Sequence, residues 1–303
     1  MDLKSKIILI AGPTASGKSN FALKLAKKVN GEIINADSMQ VYKQLEVLTA
    51  RPNKKDLKKI KHHLYGFCDV QKNFSTGDWL KLSIKKIKEI RNKKKVPIIV
   101  GGTGLYFKAL TDGLVKIPNI PIRLRNKIRL MQKKLGQKKF YKQLLRLDPL
   151  IKKKIEKNDV QRSIRAYEIK YHTKTSIINW YKKTKKYISS DQFIEFYIDY
   201  PREKLISRIN LRVDKMFVYG AIQEVKRFNK IKVKKENSSN KVIGIKEISD
   251  LLNKQHNLEQ TKELIAIKTR QYAKRQATWA RGQMQSWQKI NPENLSLALK
   301  NIK

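Results

Sequence analysis

Gly12-Pro13-Thr14-Ala15-Ser16-Gly17-Lys18-Ser19 fits the pattern G-x-x-x-x-G-K-[ST], the spelling of a phosphate-binding loop. Its flanks fit as well. Residues 6–11 (KIILIA) form a short apolar run that predicts a buried strand. Residues 18–29 carry Phe21, Leu23, Leu25, Ala26 and Val29 at the spacing of a helix. Strand, loop and helix together let backbone N–H groups converge on phosphate oxygens, with the helix N-terminus adding partial positive charge. In this arrangement Lys18 neutralises an outer phosphate and Ser19 holds Mg2+. The motif predicts a phosphate or nucleotide site, ATP included. The bland alternative is a glycine-rich turn without a ligand. Which phosphate compound binds has to be read from the rest of the chain.

The 303 residues suffice for one large or two modest domains, and 40% hydrophobic with 31% charged residues describes a soluble globular protein. No apolar run approaches the roughly 18 residues of a membrane span. The first strand begins within a few residues of Met1, which leaves no room for a signal peptide. A single cysteine, Cys68, excludes an intrachain disulfide and a cysteine-based zinc site, and points to a reducing cytoplasm. The net charge of +44, from 69 Lys+Arg against 25 Asp+Glu, calls for a polyanionic partner, most simply a nucleic acid. AT-rich coding sequence also enriches lysine along with Ile and Asn. It would enrich Glu too, and Glu is scarce here.

Residues 31–36 (GEIINA) predict a second strand ending in Asp37-Ser38-Met39-Gln40-Val41-Tyr42. Ligands of open α/β sheets sit beyond the carboxyl ends of strands, which brings Asp37 beside the phosphate loop as a magnesium ligand or general base. The alternative is a cap for a following helix. The adjacent His62 and His63 make a poor metal pair and read as structural. A helix begins near Ser75, with Trp79, Leu82, Ile84, Ile87 and Ile90 at core positions. Residues 96–100 (VPIIV) predict a central parallel strand ending in Gly101-Gly102-Thr103-Gly104. No carboxylate follows, which argues against ordinary ATP hydrolysis. The glycines would let a ligand approach the backbone, and Thr103 offers a hydroxyl at the strand tip.

From Lys116 a Pro-containing linker leads into a lysine-rich stretch, 122–185, that reads as helices. It predicts a helical insertion, bounded here as 116–190, between the two parts, 1–115 and 191–303, of an α/β core. In it Asp159 is placed to cap a helix carrying Arg162 and Arg165 on one face. These arginines either grip phosphates or pair with Glu168, and the spacing leaves both open. Residues 192–200 predict a strand, Pro201 opens a helix with Arg208 and Arg212 one turn apart, and 230–241 read as a mobile basic loop. A last helix is expected over 258–287. Along it Arg270, Lys274, Ala277 and Arg281 make a cationic stripe suited to a phosphate backbone, while Tyr272, Gln276 and Trp279 fall on another face that packs or positions the helix.

Taken in order, GPTASGKS (12–19), NADSMQVYK (35–43), TARP (49–52), HHL (62–64), VGGTGLYFKAL (100–110), NDVQRSIRA (158–166), VIGIKE (242–247) and KRQATWARGQ (274–283) resemble the tRNA dimethylallyltransferases over almost the whole chain. The combination is specific where the loop alone is not. The resemblance implies a P-loop NTPase-like core, a parallel sheet flanked by helices, with a helical insertion domain. It implies transfer of a dimethylallyl group from dimethylallyl diphosphate to the exocyclic amine of the adenosine immediately 3′ of the anticodon, with the base extruded from the RNA. The loop, Gly12 through Ser19, would then hold a diphosphate leaving group, so the missing carboxylate after Val100 carries no penalty.

By the same resemblance Asp37 is the general base, and Thr103 contacts the reacting groups and the tRNA. Lys18, Arg208 and Arg212 meet the diphosphate, and Ser19 assists Mg2+. Asp37, Ser38, Met39 and Gln40, with Arg125, match tRNA-contacting positions. So do Gln161, Arg162, Ser163, Ile164 and Arg165. Two more stretches match: Lys241, Val242, Ile243, Gly244, Ile245 and Lys246, and Lys274, Arg275, Gln276, Ala277, Thr278, Trp279, Ala280 and Arg281. The expected partners are the tRNA anticodon stem-loop and the prenyl donor, the expected state a monomer. Nothing after Trp287 contains Cys or His, unlike the zinc finger of eukaryotic members, so no zinc is implied. The competing reading is a P-loop small-molecule kinase.

Overall fold

The computed structural model describes residues 3–301. In chain order its helices are α1 (Lys18–Lys28), α2 (Lys54–Lys59), α3 (Thr76–Asn92), α4 (Gly104–Thr111), α5 (Ile122–Leu147), α6 (Val160–Thr173), α7 (Ile177–Tyr181), α8 (Arg202–Val218), α9 (Ala221–Lys230), α10 (Ile245–Leu252), α11 (Leu258–Gln283) and α12 (Leu295–Asn301). The strands are β1 (Ile7–Ala11), β2 (Gly31–Asn35), β3 (His62–His63), β4 (Val96–Gly101), β5 (Phe193–Ile198) and β6 (Gln288–Ile290). The chain divides into two units, one covering residues up to Thr111 and from Ile188 onward, the other Asp112–Tyr187.

The first unit holds one sheet in the order β3-β2-β4-β1-β5-β6, every pairing parallel. β1, β2 and β4 are buried along their whole length. That is why their sequences are continuous apolar runs rather than alternations. Ile8, Ile10, Ile33, Ile98, Val100 and Phe196 pack against Phe21, Ala22 and Leu25 of α1 on one side. A separate core joins α8, α9, α10 and α11 through Ile209, Val213, Val225, Ile248, Ile265 and Ala273. Because all strands run the same way, the segments after β1, β2 and β4 emerge at one edge of the sheet.

The second unit is helical. Ile120, Tyr141, Leu144, Ile151, Ala166, Ile169 and Ile177 form its core. α5 is broken at Gly136, whose φ of 71° is not helical. Asp159 caps α6, accepting from the Arg162 amide at 2.9 Å. Among the described residues no helix is long and apolar enough to cross a membrane.

Two sequence expectations need correction. The last long helix stops at Gln283, not at 287. Met284 and Trp287 turn inward, and β6 follows as an edge strand beside β5. Only Ile290 of β6 is buried, so its three residues leave no periodic signal. The 230–241 stretch is not a free basic loop either. It ends in a short 3-10 turn, Ser238–Lys241, where Asn237 and Ser239 are buried and donate to the Val70 carbonyl at 3.3 and 2.7 Å.

One buried carboxylate organises the loop between β2 and α2. Glu224 of α9 accepts three successive amides, Glu46 and Val47 at 2.7 and 2.9 Å through one oxygen and Leu48 at 3.0 Å through the other. Charged hydrogen bonds of this kind contribute about 1.5–3 kcal/mol each, and their loss would strand three amides. Glu224→Ala is expected to lower the unfolding free energy by about 3 kcal/mol or more in urea denaturation. A loss below about 1 kcal/mol would mean the loop holds itself without the carboxylate.

Candidate active site

The phosphate loop follows β1 directly. Ala15 and Gly17 both have positive φ, 63° and 88°, and Gly17 precedes α1, whose Phe21 amide donates to the Gly17 carbonyl at 3.1 Å. The Lys18 ammonium folds back and donates to the Pro13 carbonyl at 3.0 Å. Two arginines from α8 close over the loop. Arg208 donates through Nε to the Ala15 carbonyl at 2.7 Å, and Arg212 through a terminal nitrogen to Thr14 Oγ1 at 2.7 Å. The Arg208 guanidinium also lies 5.2 Å from the centre of the Tyr200 ring.

Burial lowers the Lys18 pKa to about 8. Asp37 pulls it back up, and Arg212 pushes it further down. Burial lowers the Arg212 pKa as well, though a guanidinium stays charged. Ser16 Oγ and Arg212 Nε are buried without a hydrogen-bond partner. Desolvated cations and unspent donors around backbone amides make a receptor for a compact polyanion.

Asp37 is set by its neighbours rather than by a helix. No helix follows it, so the capping alternative falls away. Its amide donates to Asn35 Oδ1 at 2.8 Å and its own Oδ1 accepts from Met39 at 2.9 Å, a side-chain-closed turn. Asn35, fully buried, also donates through Nδ2 to the Asp37 and Leu64 carbonyls at 2.9 and 3.0 Å. Trp79 Nε1 donates to the Asn35 carbonyl at 2.6 Å, and its ring stacks on Tyr106 at 4.3 Å. Sequence reasoning did not single out Asn35. Its signal was a polar residue closing an apolar strand.

Thr103, at the end of β4, donates its amide to Ala36 at 3.1 Å, and its hydroxyl oxygen accepts from the Ser38 amide at 2.9 Å. Tyr272 of α11 lines the same cleft as Thr103, and burial with Asp37 nearby pushes the tyrosine pKa well up, so it remains a neutral hydroxyl. The same helix supplies Gln276. Its Oε1 accepts the Thr14 amide at 2.9 Å and its Nε2 donates to the Gly102 carbonyl at 2.9 Å, tying the phosphate loop to the tip of β4.

This contact corrects the expectation that the glycines admit a ligand. A Cβ on Gly102 would stand 2.1 Å from Gln276 Nε2, and one on Gly104 would stand 2.3 Å from the Trp279 ring. The room is used by the protein's own last long helix.

The loop is flanked by two clefts. One, of 280 Å³, has apolar and aromatic walls from Phe107, Tyr197, Tyr272, Trp279 and Met284, with Ser38, Thr103 and Arg275 at hand. The other, of 1060 Å³, borders Ala15 and carries Arg51, Lys55, Arg208, Arg212 and Lys215.

The remaining sequence candidates fall in several places. Met39 and Gln40 lie in the turn after Asp37, where Gln40 Nε2 donates to the Thr49 and Ala50 carbonyls. Lys241 and Lys246 are exposed, but Val242, Gly244 and Ile245 between them are buried, so those side chains serve the core. Lys274, Arg275, Thr278 and Arg281 are exposed on α11 with Ala277 half-buried, whereas Ala280 packs inside. The cationic stripe is weaker at its start, because Arg270 pairs with Glu263 at 2.6 Å. In the helical unit Gln161 and Arg162 are exposed, Ile164 is half-buried, and Ser163 is fully buried and accepts from Gln137. Arg162 pairs with Asp159 at 2.9 Å, and Arg165 and Arg125 with Glu168 at 3.3 and 3.7 Å. Among the described residues no group of three His, Cys, Asp or Glu is placed to hold a metal.

Comparison with known proteins gives one answer. Residues 40–283 match the family described as IPP transferase. The chain is 62% identical to the tRNA dimethylallyltransferase of Pelagibacter ubique, covering 100% of this chain and 97% of that one. It is 41% identical to that of Rickettsia conorii, covering 98% and 83%. Among solved structures it is similar to the full-length tRNA isopentenylpyrophosphate transferase of Bacillus halodurans, with 29% identity, a TM-score of 0.70 and coverage of 98% and 95%. It is also similar to a eukaryotic dimethylallyltransferase acting on tRNA, with 31% identity, a TM-score of 0.83 and coverage of 98% and 76%.

The lowered Lys18 pKa has a measurable sign. Below about 8 the ammonium is charged and favours an anion, and above it that charge is lost unless the ligand takes up a proton. Affinity for inorganic pyrophosphate, measured by calorimetry, is therefore expected to fall as pH rises beyond 8, approaching about tenfold per unit. Lys18→Arg should bind less well but lose this alkaline limb. An identical limb in the variant would assign the titration to another group.

Proposed function

The chain belongs to the IPP transferase family, and on that premise we propose that it moves a dimethylallyl group from dimethylallyl diphosphate to the exocyclic amine of the adenosine immediately 3′ of a tRNA anticodon. The observation that carries this reading is the set of groups gathered at the carboxyl edge of one sheet: Lys18 folded onto the Pro13 carbonyl, Arg212 bonded to Thr14 of the same loop, and Asp37 held at the tip of β2 by Asn35.

The chemistry follows from those groups. The amine nitrogen bonds to the allylic carbon as the bond from that carbon to the diphosphate oxygen breaks. The electron pair leaves with the diphosphate, and Lys18, Arg208, Arg212 and the loop amides stabilise the charge that develops. The amine proton passes to Asp37 through Oδ2, since Oδ1 already holds the Met39 amide. Thr103 and Tyr272 orient the base edge, and the aromatic cleft beside them gives apolar walls to the reacting groups. Ser19, exposed where the loop enters α1, would be the residue to hold a magnesium ion. Such an ion would add to the neutralisation of the leaving group.

The exposed Lys241, Lys246, Lys274, Arg275 and Arg281 support binding of the anticodon stem-loop, as Arg125, Gln161, Arg162 and Arg165 do in the helical unit. The reading includes a monomer acting in the cytoplasm, in keeping with the lone buried, unpaired cysteine. A small-molecule kinase would share the loop but would have no use for a basic face on α11.

Mass analysis of nucleosides from tRNA incubated with protein and dimethylallyl diphosphate should reveal isopentenyladenosine. Asp37→Ala is expected to slow transfer by about 10²–10⁴-fold while retaining tRNA affinity. Turnover of ATP with the prenyl donor ignored would overturn the proposal, as would an Asp37→Ala protein of undiminished activity. Preference for AMP over tRNA would redirect it to free nucleotides.

A further inference from the structure

The helical unit contains a charge cluster whose arrangement goes beyond its individual arginines. Glu168 on α6 is only 2% exposed, yet three guanidiniums reach for it: Arg165 at 3.3 Å, Arg125 at 3.7 Å and Arg129 at 3.7 Å. Helical spacing explains the convergence. Arg125 and Arg129 stand one turn apart on α5, and Arg165 and Glu168 one turn apart on α6, so each helix offers one face to the other. The arginines themselves remain about two-fifths exposed, at 37%, 42% and 43%.

This ratio is unusual energetically. One carboxylate cannot neutralise three cations, and the distances are those of loose ion pairs rather than saturated forks. Arg125 Nε and Glu168 Oε1 are buried without any hydrogen-bond partner. If the cluster existed to stabilise the helical unit, its geometry would be closed. What it presents is a fixed group of half-exposed guanidiniums with positive charge in excess and N–H donors unspent. Arginine forks held this way are suited to phosphate oxygens, which they bind bidentately. The nearby Arg162 is tied to Asp159 at 2.9 Å and so extends the basic surface from a defined position.

We infer that Glu168 is a positioning residue that gathers Arg125, Arg129 and Arg165 into a phosphate-binding clamp for the RNA backbone, with Arg129 as a direct contact. The inference rests on the tRNA reading above and deepens it. Glu168 itself touches no RNA. It sets where the cations stand and lowers the repulsion among them before the phosphate arrives.

The sign of one substitution separates this from a simple charge effect. Glu168→Gln keeps the shape and makes the unit one charge more positive. If only net charge mattered, tRNA would bind more tightly. If Glu168 positions the arginines, tRNA binding weakens, by about fivefold or more, and KM for tRNA rises while kcat at saturating tRNA stays the same. Arg129→Gln, a half-exposed change, provides a second measurement independent of the buried site. It should weaken binding of the full-chain protein to tRNA and lower the slope of log affinity against log salt by about one. Glu168→Asp should recover part of the affinity lost in Glu168→Gln. Unchanged or tighter binding by Glu168→Gln overturns the positioning role. An unchanged salt slope in Arg129→Gln overturns the contact. Should Glu168→Gln fail to fold, as judged by its thermal transition, the Arg129→Gln slope alone decides for or against the clamp. A wild-type protein that neither binds nor prenylates tRNA would instead sink the functional proposal on which the clamp rests.

Discussion

Two half-buried cations beside a carboxylate set the terms for this molecule. Lys18 and Arg212 are held around the phosphate loop, with Asp37 the one carboxylate acting on both. Left alone, such an excess of partly desolvated positive charge is unfavourable. The folded chain tolerates it because the loop is fastened on several sides: by Arg208 to the Ala15 carbonyl, by Arg212 to Thr14, and by Gln276 to the Thr14 amide. The same excess is what makes the site useful. On the proposed reading, a diphosphate would satisfy charges and donors that the protein has left open, and the interaction would grow as the leaving group became more negative.

Scarcity of acid shapes the rest of the fold. With 25 Asp+Glu against 69 Lys+Arg, the buried glutamates Glu32, Glu168, Glu224 and Glu247 serve as shared hubs. Glu32 takes His63 at 2.7 Å and Lys95 at 3.1 Å. Glu247 holds the Gly244 amide and Lys268, and so fastens the 241–246 segment to α11. Glu224 and Glu168 do the same work elsewhere. Much of the lysine excess has no such partner and stays on the surface, where it contributes to the field that attracts a polyanion rather than to stability.

What could be read from the sequence was what is local. The strand, loop and helix around Gly12 to Ser19, the strand tips carrying Asp37 and Thr103, the arginine pair on α8 and the helical insertion all announce themselves within a dozen residues or by an unmixed apolar run. The parts that escaped are those set by distant neighbours. β6 is too short and too polar to register, and exists because Trp287 and Ile290 find buried places beside the sheet. The stretch before Lys241 looks like free basic chain until Asn237 and Ser239 find the carbonyl of Val70. Gln276 reads as part of a face that packs or positions its helix without saying against what, and Gly102 as an opening for a ligand, until the two are seen to fit each other.

The Gln276 strap has a consequence for the life of the chain. It joins residues 262 positions apart, so one brace of the loop that appears near the start of synthesis comes from a helix made far later. Chains grow from the N-terminus, and early segments can fold as they emerge. Here the loop lacks its Arg208, Arg212 and Gln276 contacts until α8 and then α11 have been translated. A ribosome that stops short of α11 therefore releases a protein that carries the complete loop sequence without the finished receptor.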